Sequence, residues 1–350
     1  MISLLNIIQH HIITFYLPQI DMDGTKTLMK NIWNLPKVDL IPFSEIDEKR
    51  PVLLVTSTPA WNAVKSSLCG LNITETIEVT EATPEYWDGL QSSIENHKSE
   101  IVYAVGGGLV ADAAKYISVK LNLPLAVLPT ALSVDAFITA ASGIRRDGCV
   151  YYIETKVPEN LILDLDTITK APTSIRAAGI TDVISIATGA WDWKFAHERG
   201  RNPAGMEFIP WVYDNAQSIL SGVLDCAEAA GSGDRDGLKT LFDCLCMEVQ
   251  LCNQIGHSRP EEGSEHYFAY CVENHMGHGL PHGDLVGPGI LIMSKLQEQA
   301  AGPLEAALRA CHIPLDGIPQ SVIERTLAEL PSYCLEHNLA YGIAHELETQ

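Results

Sequence analysis

The chain has 350 residues, which suits two domains, and 46% of them are hydrophobic, which is enough for two packed cores. Asp and Glu number 44 against 23 Lys and Arg, so the net charge of −21 should repel nucleic acid and anionic membrane surfaces. We therefore expect a small-molecule substrate as the partner, and neither nucleic acid nor a membrane.

Cysteine usage and hydropathy indicate the compartment. The nine cysteines are an odd number with no C-x-x-C pair, and Cys244 and Cys246 are too close for the usual zinc spacing. The first apolar run, residues 2–17, is short and contains Gln9 and two histidines, so we expect a lead-in strand or helix rather than a membrane span. Together these observations predict a cytoplasmic protein.

Residues 51–165 alternate short apolar runs with amphipathic segments, which is the pattern of parallel βα units. Because the apolar runs are continuous, the sheet should be covered on both faces. The predicted strands are 51–56, 73–79, 101–105, 125–128 and 161–164, and the predicted helices are 59–68, 84–97 and a stretch that ends near Leu121.

After about residue 172 the strand pattern disappears. Long segments with apolar residues three and four positions apart replace it, as in 182–197 and 238–255. The sequence therefore predicts an α/β domain at residues 1–168 and a helical domain at residues 169–350.

A glycine turn, Gly106-Gly107-Gly108, follows the strand at 101–105 and begins a helix. Glycine lets a phosphate approach the backbone, and a helix start offers unpaired N–H groups and the positive end of its dipole. With Ala111 the turn also fits a loose dinucleotide fingerprint, although no acidic residue follows about 20 positions later. The alternative is a tight βα turn without a ligand.

Five of the twelve histidines lie between His257 and His282, a density that suggests a metal site. His278 and His282 have helical spacing, but the glycine and proline between them disfavour a continuous helix. We predict instead that His266, in a helix over 262–274, meets His282, at the start of the next helix, across a Gly/Pro turn. The alternative is a polar helix interface in which the histidines are simply hydrogen-bonded.

A metal held by two imidazoles favours an anionic third ligand. Asp182 lies among apolar residues of a helix that should be largely buried, where an unpaired carboxylate would be costly, so we expect it to meet a cation. The alternative is that Asp182 caps the helix beside Thr181.

Five motifs in this order resemble the glycerol-1-phosphate dehydrogenase branch of the superfamily that also contains iron-containing alcohol dehydrogenases, glycerol dehydrogenase and 3-dehydroquinate synthase. The resemblance covers roughly residues 50–350. The motifs are G-G-G-x-x-x-D-x-x-K from Gly106, P-T-A-L-S-V-D from Pro129, G-x-x-D from Gly179 leading to Asp192 and Trp193, S-R-P-x-x-G-S-E-H from Ser258, and H-G-D-x-V-G from His282.

The resemblance implies a dehydroquinate synthase-like fold: an α/β Rossmann-like N-terminal domain and an all-α C-terminal domain, with the active site in the cleft between them. It implies that Asp182, His266 and His282 are catalytic metal ligands, with zinc expected and iron(II) as the alternative. It also implies NAD or NADP as the cofactor. The residues implied to bind the cofactor are Gly106, Gly107, Gly108, Leu109, Val110, Asp112, Thr130, Ser133 and Thr139.

For the substrate, the resemblance implies contacts by Asp135 and Asp182, and by Tyr270, which stands where the family usually has a histidine. Among the few basic residues, Arg259 and Lys156 are our candidates for holding a phosphate. We expect an sn-glycerol-1-phosphate dehydrogenase that reduces dihydroxyacetone phosphate, or a close relative that acts on another small polyol or ketone. We also expect a homo-oligomer.

A second function stays open at this point, a sugar-phosphate cyclase resembling 3-dehydroquinate synthase. Against it, the carboxylate ligand is Asp182 rather than a glutamate, and the lysine-rich substrate loop of that branch is absent around residues 142–147. The end of the first predicted strand, Val55 to Thr58, lacks the aspartate that often faces the adenine ribose. The sequence therefore leaves the choice between NAD and NADP open.

Overall fold

The computed structural model of the chain describes residues 35–94, 98–146 and 148–347, so the lead-in element predicted at residues 2–17 lies outside the described residues. The described chain begins with a parallel sheet flanked by helices and continues as a helical half. This confirms the predicted fold class.

The strands are β1 (Lys37–Leu40), β2 (Val52–Thr56), β3 (Ile73–Glu78), β4 (Ile101–Gly106), β5 (Leu125–Pro129), β6 (Ala141–Arg146), β7 (Cys149–Glu154) and β8 (Asn160–Leu163). In the described part of the chain, six of them form an all-parallel sheet in the order β1-β8-β5-β4-β2-β3. β2, β4 and β5 are buried along their whole length, which explains their continuous apolar sequences. β1 was not predicted because it is short and mostly exposed.

The helices are α1 (Thr58–Val64), α2 (Pro84–Ser93), α3 (Gly108–Leu121), α4 (Leu165–Thr169), α5 (Thr173–Arg176), α6 (Ile180–Ile184), α7 (Ile186–Glu198), α8 (Pro210–Ser232), α9 (Arg235–Ile255), α10 (Ser264–Met276), α11 (His282–Leu296), α12 (Ala301–Ala310) and α13 (Gln320–Glu336). Short 3-10 helices lie at Phe43–Glu45 and Ile343–Glu346. Among the described helices, none is both long and apolar enough to cross a membrane.

The helix predicted over residues 182–197 is in fact two helices. α6 and α7 meet at Ser185, whose hydroxyl lies 2.5 Å from the carbonyl oxygen of Asp182 and also contacts that of Glu261. A hydroxyl that bonds to backbone carbonyls in this way competes with regular helix geometry. Apolar spacing continues across Ser185, so the pattern alone predicted one helix.

Buried side chains form two clusters, one on each face of the sheet. In β4, Ile101, Tyr103 and Val105 belong to one cluster, and Val102 and Ala104 belong to the other, as the two-residue period of a strand requires. The cluster that contains Val102 and Ala104 continues from α2 and α3 into the helical half. The two halves therefore share one core, and the boundary predicted between residues 168 and 169, which falls within α4, stays a prediction.

The strand order reverses between β2 and β4. The two strands are neighbours although they are not consecutive, and the Thr56 hydroxyl at the end of β2 donates to the Val105 carbonyl oxygen at 2.7 Å. Ligands of open α/β sheets bind outside the carboxyl ends of the strands at such a reversal. The glycine turn begins at this point, because Gly106 is the last residue of β4.

β6 and β7 form an antiparallel hairpin in which Gly143 pairs with Tyr152. The hairpin packs on α3 and α10, and the Val150 N–H donates to the Glu273 carboxylate of α10 at 2.9 Å. Its strands carry polar residues, and β6 ends in two arginines, Arg145 and Arg146, which is why no strand was predicted there.

Lys115 ties α3 to the chain that follows β5. Its side chain is fully buried, and its ammonium lies 2.9 Å from the Asp112 carboxylate. It also donates to the carbonyl oxygen of Ala136 at 3.0 Å and to that of Ala141, and it lies 3.4 Å from the hydroxyl oxygen of Thr139. A buried ammonium needs such partners because an unpaired one would be very costly.

Candidate active site

The loop that leaves β5, residues 130–135 and hereafter the bridging loop, contacts both predicted parts of the site. A Cβ atom on Gly107 would lie 3.6 Å from the Ser133 hydroxyl oxygen, so the loop runs beside the glycine turn. Two residues later, the Asp135 N–H donates to the Asp182 carboxylate at 2.9 Å. The glycine turn and Asp182 therefore contact the same short loop.

The three glycines of the turn have different surroundings. A Cβ on Gly106 would lie 2.7 Å from Val110, and a Cβ on Gly108 would lie 2.6 Å from Val134, so packing alone excludes side chains at both positions. Gly107 has room for a side chain, and it starts α3 without any side-chain cap. The turn thus presents an open glycine at a helix N-terminus, where an anion can approach the N–H groups.

The other predicted cofactor residues divide into two groups. Leu109 is 37% exposed, and the Thr130 N–H donates to the Gly106 carbonyl oxygen at 3.1 Å, so both lie at the turn. Asp112 and Thr139 instead contact the buried Lys115 ammonium inside the fold. Their side chains support the glycine turn and the bridging loop and do not face the open side of Gly107.

Asp182, His266 and His282 come together from three helices. Asp182 lies on α6, His266 on α10, and His282 is the first residue of α11. The His282 Nε2 atom lies 3.1 Å from the Asp182 carboxylate, and the two imidazole ring centres are 5.3 Å apart. The helix carrying His266 runs over 264–276 instead of the predicted 262–274, and its turn into α11 joins the two histidines as predicted.

The Asp182 carboxylate does not cap its own helix. It accepts the Asp135 N–H from the bridging loop, and the Thr181 hydroxyl donates to the Ala178 carbonyl oxygen at 2.9 Å. The structure therefore contradicts the alternative in which Asp182 caps the helix beside Thr181.

Glu265 fixes the ring of His266. Its carboxylate lies 2.9 Å from His266 Nδ1 and accepts the Gly263 N–H at 2.6 Å. Burial alone would lower the pKa of His266, but the bond to Glu265 and the nearby carboxylates raise it to about 9. A carboxylate on one ring nitrogen orients the other, which is the usual arrangement of an imidazole that binds a metal.

Asp192 anchors the start of the helix that carries His266. This carboxylate is fully buried and accepts hydrogen bonds from the Ser264 N–H at 2.8 Å, from Gln297 at 3.1 Å and from the Ile343 N–H at 2.9 Å. Burial raises the pKa of Asp192 to about 6, against the opposing effects of Arg259 and of the bond from Ser264. The sequence marked Asp192 within a motif but gave it no role.

Carboxylates dominate the surroundings of Asp182. Burial raises the pKa of Asp135 to about 7, and the neighbouring Asp182 adds to the increase. Burial also raises the pKa of Glu248 well above its ordinary value, with a further contribution from Glu261. Two imidazoles and a carboxylate within this negative environment are chemically suited to a divalent cation.

The side chains are not yet arranged around a single ion. Within residues 35–94, 98–146 and 148–347, no three His, Cys, Asp or Glu side chains form a ready-made metal site. Asp182 and His282 contact each other directly instead. Two atoms that bind one ion at about 2.1 Å have a similar separation, so a metal could bind both with little movement of either side chain.

Tyr270 lies beside the histidines. Its ring centre is 6.2 Å from that of His266, and its hydroxyl donates to the Glu262 carboxylate at 2.7 Å. The structure therefore brings together three of the predicted substrate residues, Asp135, Asp182 and Tyr270.

The structure corrects the assignment of Arg259 and Lys156. Arg259 is 3% exposed, and its guanidinium donates to the Tyr341 carbonyl oxygen at 2.8 Å and to a tyrosine hydroxyl. Lys156 bonds to the Leu123 carbonyl oxygen at 3.0 Å and to Glu159, at the amino end of β5 and hence opposite the glycine turn. Neither basic group lies in the site, because contacts distant in sequence determine where each one points.

We expect Asp192→Ala to lower the free energy of unfolding by about 3–5 kcal/mol, because it leaves three buried donors without a partner. Asp225→Ala, which removes an exposed carboxylate from α8, should change it by less than about 0.5 kcal/mol. Guanidinium chloride denaturation measures both. An equally small loss in the two variants would contradict the anchoring role.

A profile of the family described as iron-containing alcohol dehydrogenase matches residues 46–172. A glycerol-1-phosphate dehydrogenase [NAD(P)+] of Halalkalibacterium halodurans is 31% identical over 208 residues, which span 58% of this chain and 51%, about half, of that relative. The enzyme of the same name from Pyrococcus abyssi is 30% identical over 298 residues, 85% of this chain and 82% of the relative.

Among solved structures, glycerol dehydrogenase from Schizosaccharomyces pombe superposes with a TM-score of 0.66 at 20% sequence identity. The superposition covers 91% of this chain and 86% of that one. It extends across both the parallel sheet and the helical half, so the two proteins share the whole architecture.

Proposed function

The chain belongs to the glycerol-1-phosphate dehydrogenase branch of the iron-containing alcohol dehydrogenases, which are NAD(P)-dependent oxidoreductases, and we propose that it interconverts dihydroxyacetone phosphate and sn-glycerol 1-phosphate. The names of the relatives supply glycerol 1-phosphate, and dihydroxyacetone phosphate is the ketone that forms when its secondary hydroxyl is oxidised. One observation in this chain supports the reaction: the bridging loop contacts both the glycine turn and Asp182 and so joins them in one site.

Asp182, His266 and His282 would hold a divalent metal ion. Such an ion acts as a Lewis acid, lowering the pKa of a substrate hydroxyl and polarising the corresponding ketone. The protein contributes orientation: the Asp135 N–H holds the Asp182 carboxylate, and Glu265 holds the His266 ring. We propose zinc as the resident ion, with iron(II) as the alternative for the same ligands.

The open face of Gly107, with the first N–H groups of α3, would receive the pyrophosphate of the cofactor. Leu109, Thr130 and Ser133 border it and would hold the cofactor beside Asp182. When bound, the nicotinamide would supply or accept the hydride of the reaction.

Glu78 is a cofactor candidate that the sequence did not reveal. It ends β3 and accepts the Thr58 N–H at 3.2 Å, beside the end of β2. In a dinucleotide fold the acidic residue that bonds the ribose hydroxyls of NAD and repels the 2′-phosphate of NADP belongs to the same βαβ unit as the glycine turn. Glu78 belongs to the preceding unit, but it lies beside the end of β2, the strand next to β4 and its glycine turn. On that ground we propose a preference for NAD.

The cyclase alternative gains no support from these residues. The hairpin strand that covers residues 142–146 holds Arg145 in an ion pair with Glu273 and places Arg146 over the Tyr151 ring. Homo-oligomerisation and a cytoplasmic location stay predictions.

The direct test is steady-state kinetics with the zinc-loaded protein. NADH should be consumed when dihydroxyacetone phosphate is added, and the product should be the sn-1 isomer of glycerol phosphate. NADPH in place of NADH should give a lower kcat/KM. Absence of turnover with both coenzymes, in protein shown to contain metal, would contradict the proposed reaction.

His282→Ala should remove most of the bound divalent ion and nearly all activity, because it deletes one of three proposed ligands. The matched control is His278→Ala, four residues earlier, where the side chain is exposed and hydrogen-bonds to the Gly279 carbonyl oxygen. Elemental analysis of the purified proteins measures the metal content directly. If the His282 variant retains one ion per chain, the ligand assignment is wrong.

Gly107→Val should abolish NADH binding while the protein stays folded, because the side chain would fill the open face of the turn without striking the protein. Fluorescence titration with NADH measures the binding, and thermal unfolding checks the fold. Unchanged affinity in a folded variant would place the nucleotide elsewhere.

A further inference from the structure

The β6–β7 hairpin brings a tyrosine to the site that the sequence did not single out. Two contacts show that β7 and α10 run in opposite directions: a Cβ on Gly148 would strike the Gly277 backbone, and the Val150 N–H donates to Glu273. Tyr152 lies two residues after Val150 and on the same face of β7. Tyr270 lies about one helical turn before Glu273 on α10. Tyr152 therefore approaches the side of α10 that carries Tyr270 and, one turn further, His266.

Tyr152 lies within electrostatic range of the same carboxylates. Partial burial of the ring raises the pKa of Tyr152 well above its ordinary value, and the charges of Glu262, Asp135 and Asp182 raise it further. The phenol is therefore neutral at physiological pH and can donate a hydrogen bond.

The hairpin leaves space for this ring. Gly143, the partner of Tyr152 across the ladder, has no side chain, and a Cβ there would lie 3.7 Å from the tyrosine ring and 3.3 Å from the Asp112 carboxylate. Tyr152 itself is 40% exposed. In the part of the chain that the structure describes, no residue hydrogen-bonds to its hydroxyl. This donor is therefore available to a ligand in the cleft.

Glu262 and Tyr270 supply the complementary groups. Their 2.7 Å hydrogen bond puts a carboxylate acceptor and a phenol next to His266, and Ser258 donates to the other Glu262 oxygen at 2.6 Å. Acceptors and neutral donors together suit a hydroxyl group, which both donates and accepts. A phosphate dianion at the same place would be repelled by Glu262 and Asp135.

We propose that Tyr152 is a specificity-determining residue, which with Tyr270 and Glu262 binds the free primary hydroxyl of the three-carbon substrate. The phosphate end of the substrate then points away from these carboxylates. This assignment rests on the proposed function, because it supposes that the substrate carbonyl or secondary hydroxyl lies at Asp182, His266 and His282.

The test compares dihydroxyacetone phosphate with 2-oxopropyl phosphate, which lacks only the free hydroxyl. With zinc-loaded enzyme and NADH, we expect kcat/KM to favour the hydroxylated ketone by about 100-fold or more, because a site built to bond a hydroxyl leaves its polar groups unpaired with the analogue. Tyr152→Phe should reduce that ratio by about tenfold, almost entirely through the hydroxylated substrate. Tyr151→Phe, which alters the adjacent residue on the opposite face of β7, should leave the ratio unchanged.

A binding measurement separates this inference from the proposed reaction. Calorimetry with the zinc-loaded protein and NAD compares glycerol 1-phosphate with 2-hydroxypropyl phosphate, in the wild type and in both tyrosine variants. If no ketone is reduced but Tyr152→Phe still narrows the difference in affinity, the proposed reaction is wrong and the hydroxyl site stands. If Tyr152→Phe weakens both ligands equally, or acts like Tyr151→Phe, the role of Tyr152 is overturned.

Discussion

The site depends on two contacts of the bridging loop that are only two residues apart. Ser133 must pass beside Gly107, and two residues later the Asp135 N–H must reach the Asp182 carboxylate. Two residues of extended chain span less than about 7 Å, so the glycine turn of the sheet and the first buried carboxylate of the helical half are held at nearly one place. A cofactor and a cation bound there would be neighbours because the loop leaves them no other arrangement.

Negative charge is the second constraint on the site. Asp182, Asp135, Glu248 and Glu261 lie within mutual electrostatic range, and burial raises the pKa of most of them. Such a cluster costs folding free energy unless protons or a cation offset the repulsion. The direct contact between Asp182 and His282 is one partial solution, and a divalent ion would be a more complete one. The structure thus accepts an electrostatic cost at the proposed metal site.

His266 is held in place by two buried carboxylates, Glu265 and Asp192. Glu265 orients the His266 ring, and Asp192 accepts hydrogen bonds from α10, from the residue that follows α11 and from the 3-10 helix at Ile343–Glu346, so several distant segments meet at one buried group. The hairpin then covers the same helix from the sheet side. Precise placement of His266 consequently depends on residues from much of the chain, as a preorganised site requires.

The amino-acid order is enough to predict most of the helices and strands and the chemical types of the site residues. Continuous apolar runs predicted the strands because each faces two covered surfaces, and the glycine-proline turn predicted that His266 and His282 would meet because a helix cannot pass through it. It could not predict the break at Ser185, since the apolar spacing is unchanged there. Which polar groups face the cleft depends on how the chain folds. Arg259 and Lys156 are engaged elsewhere, Tyr152 reaches the site through a hairpin, and Glu78 reaches the end of β2, because the partners of a side chain are set by contacts between segments that are far apart in the chain.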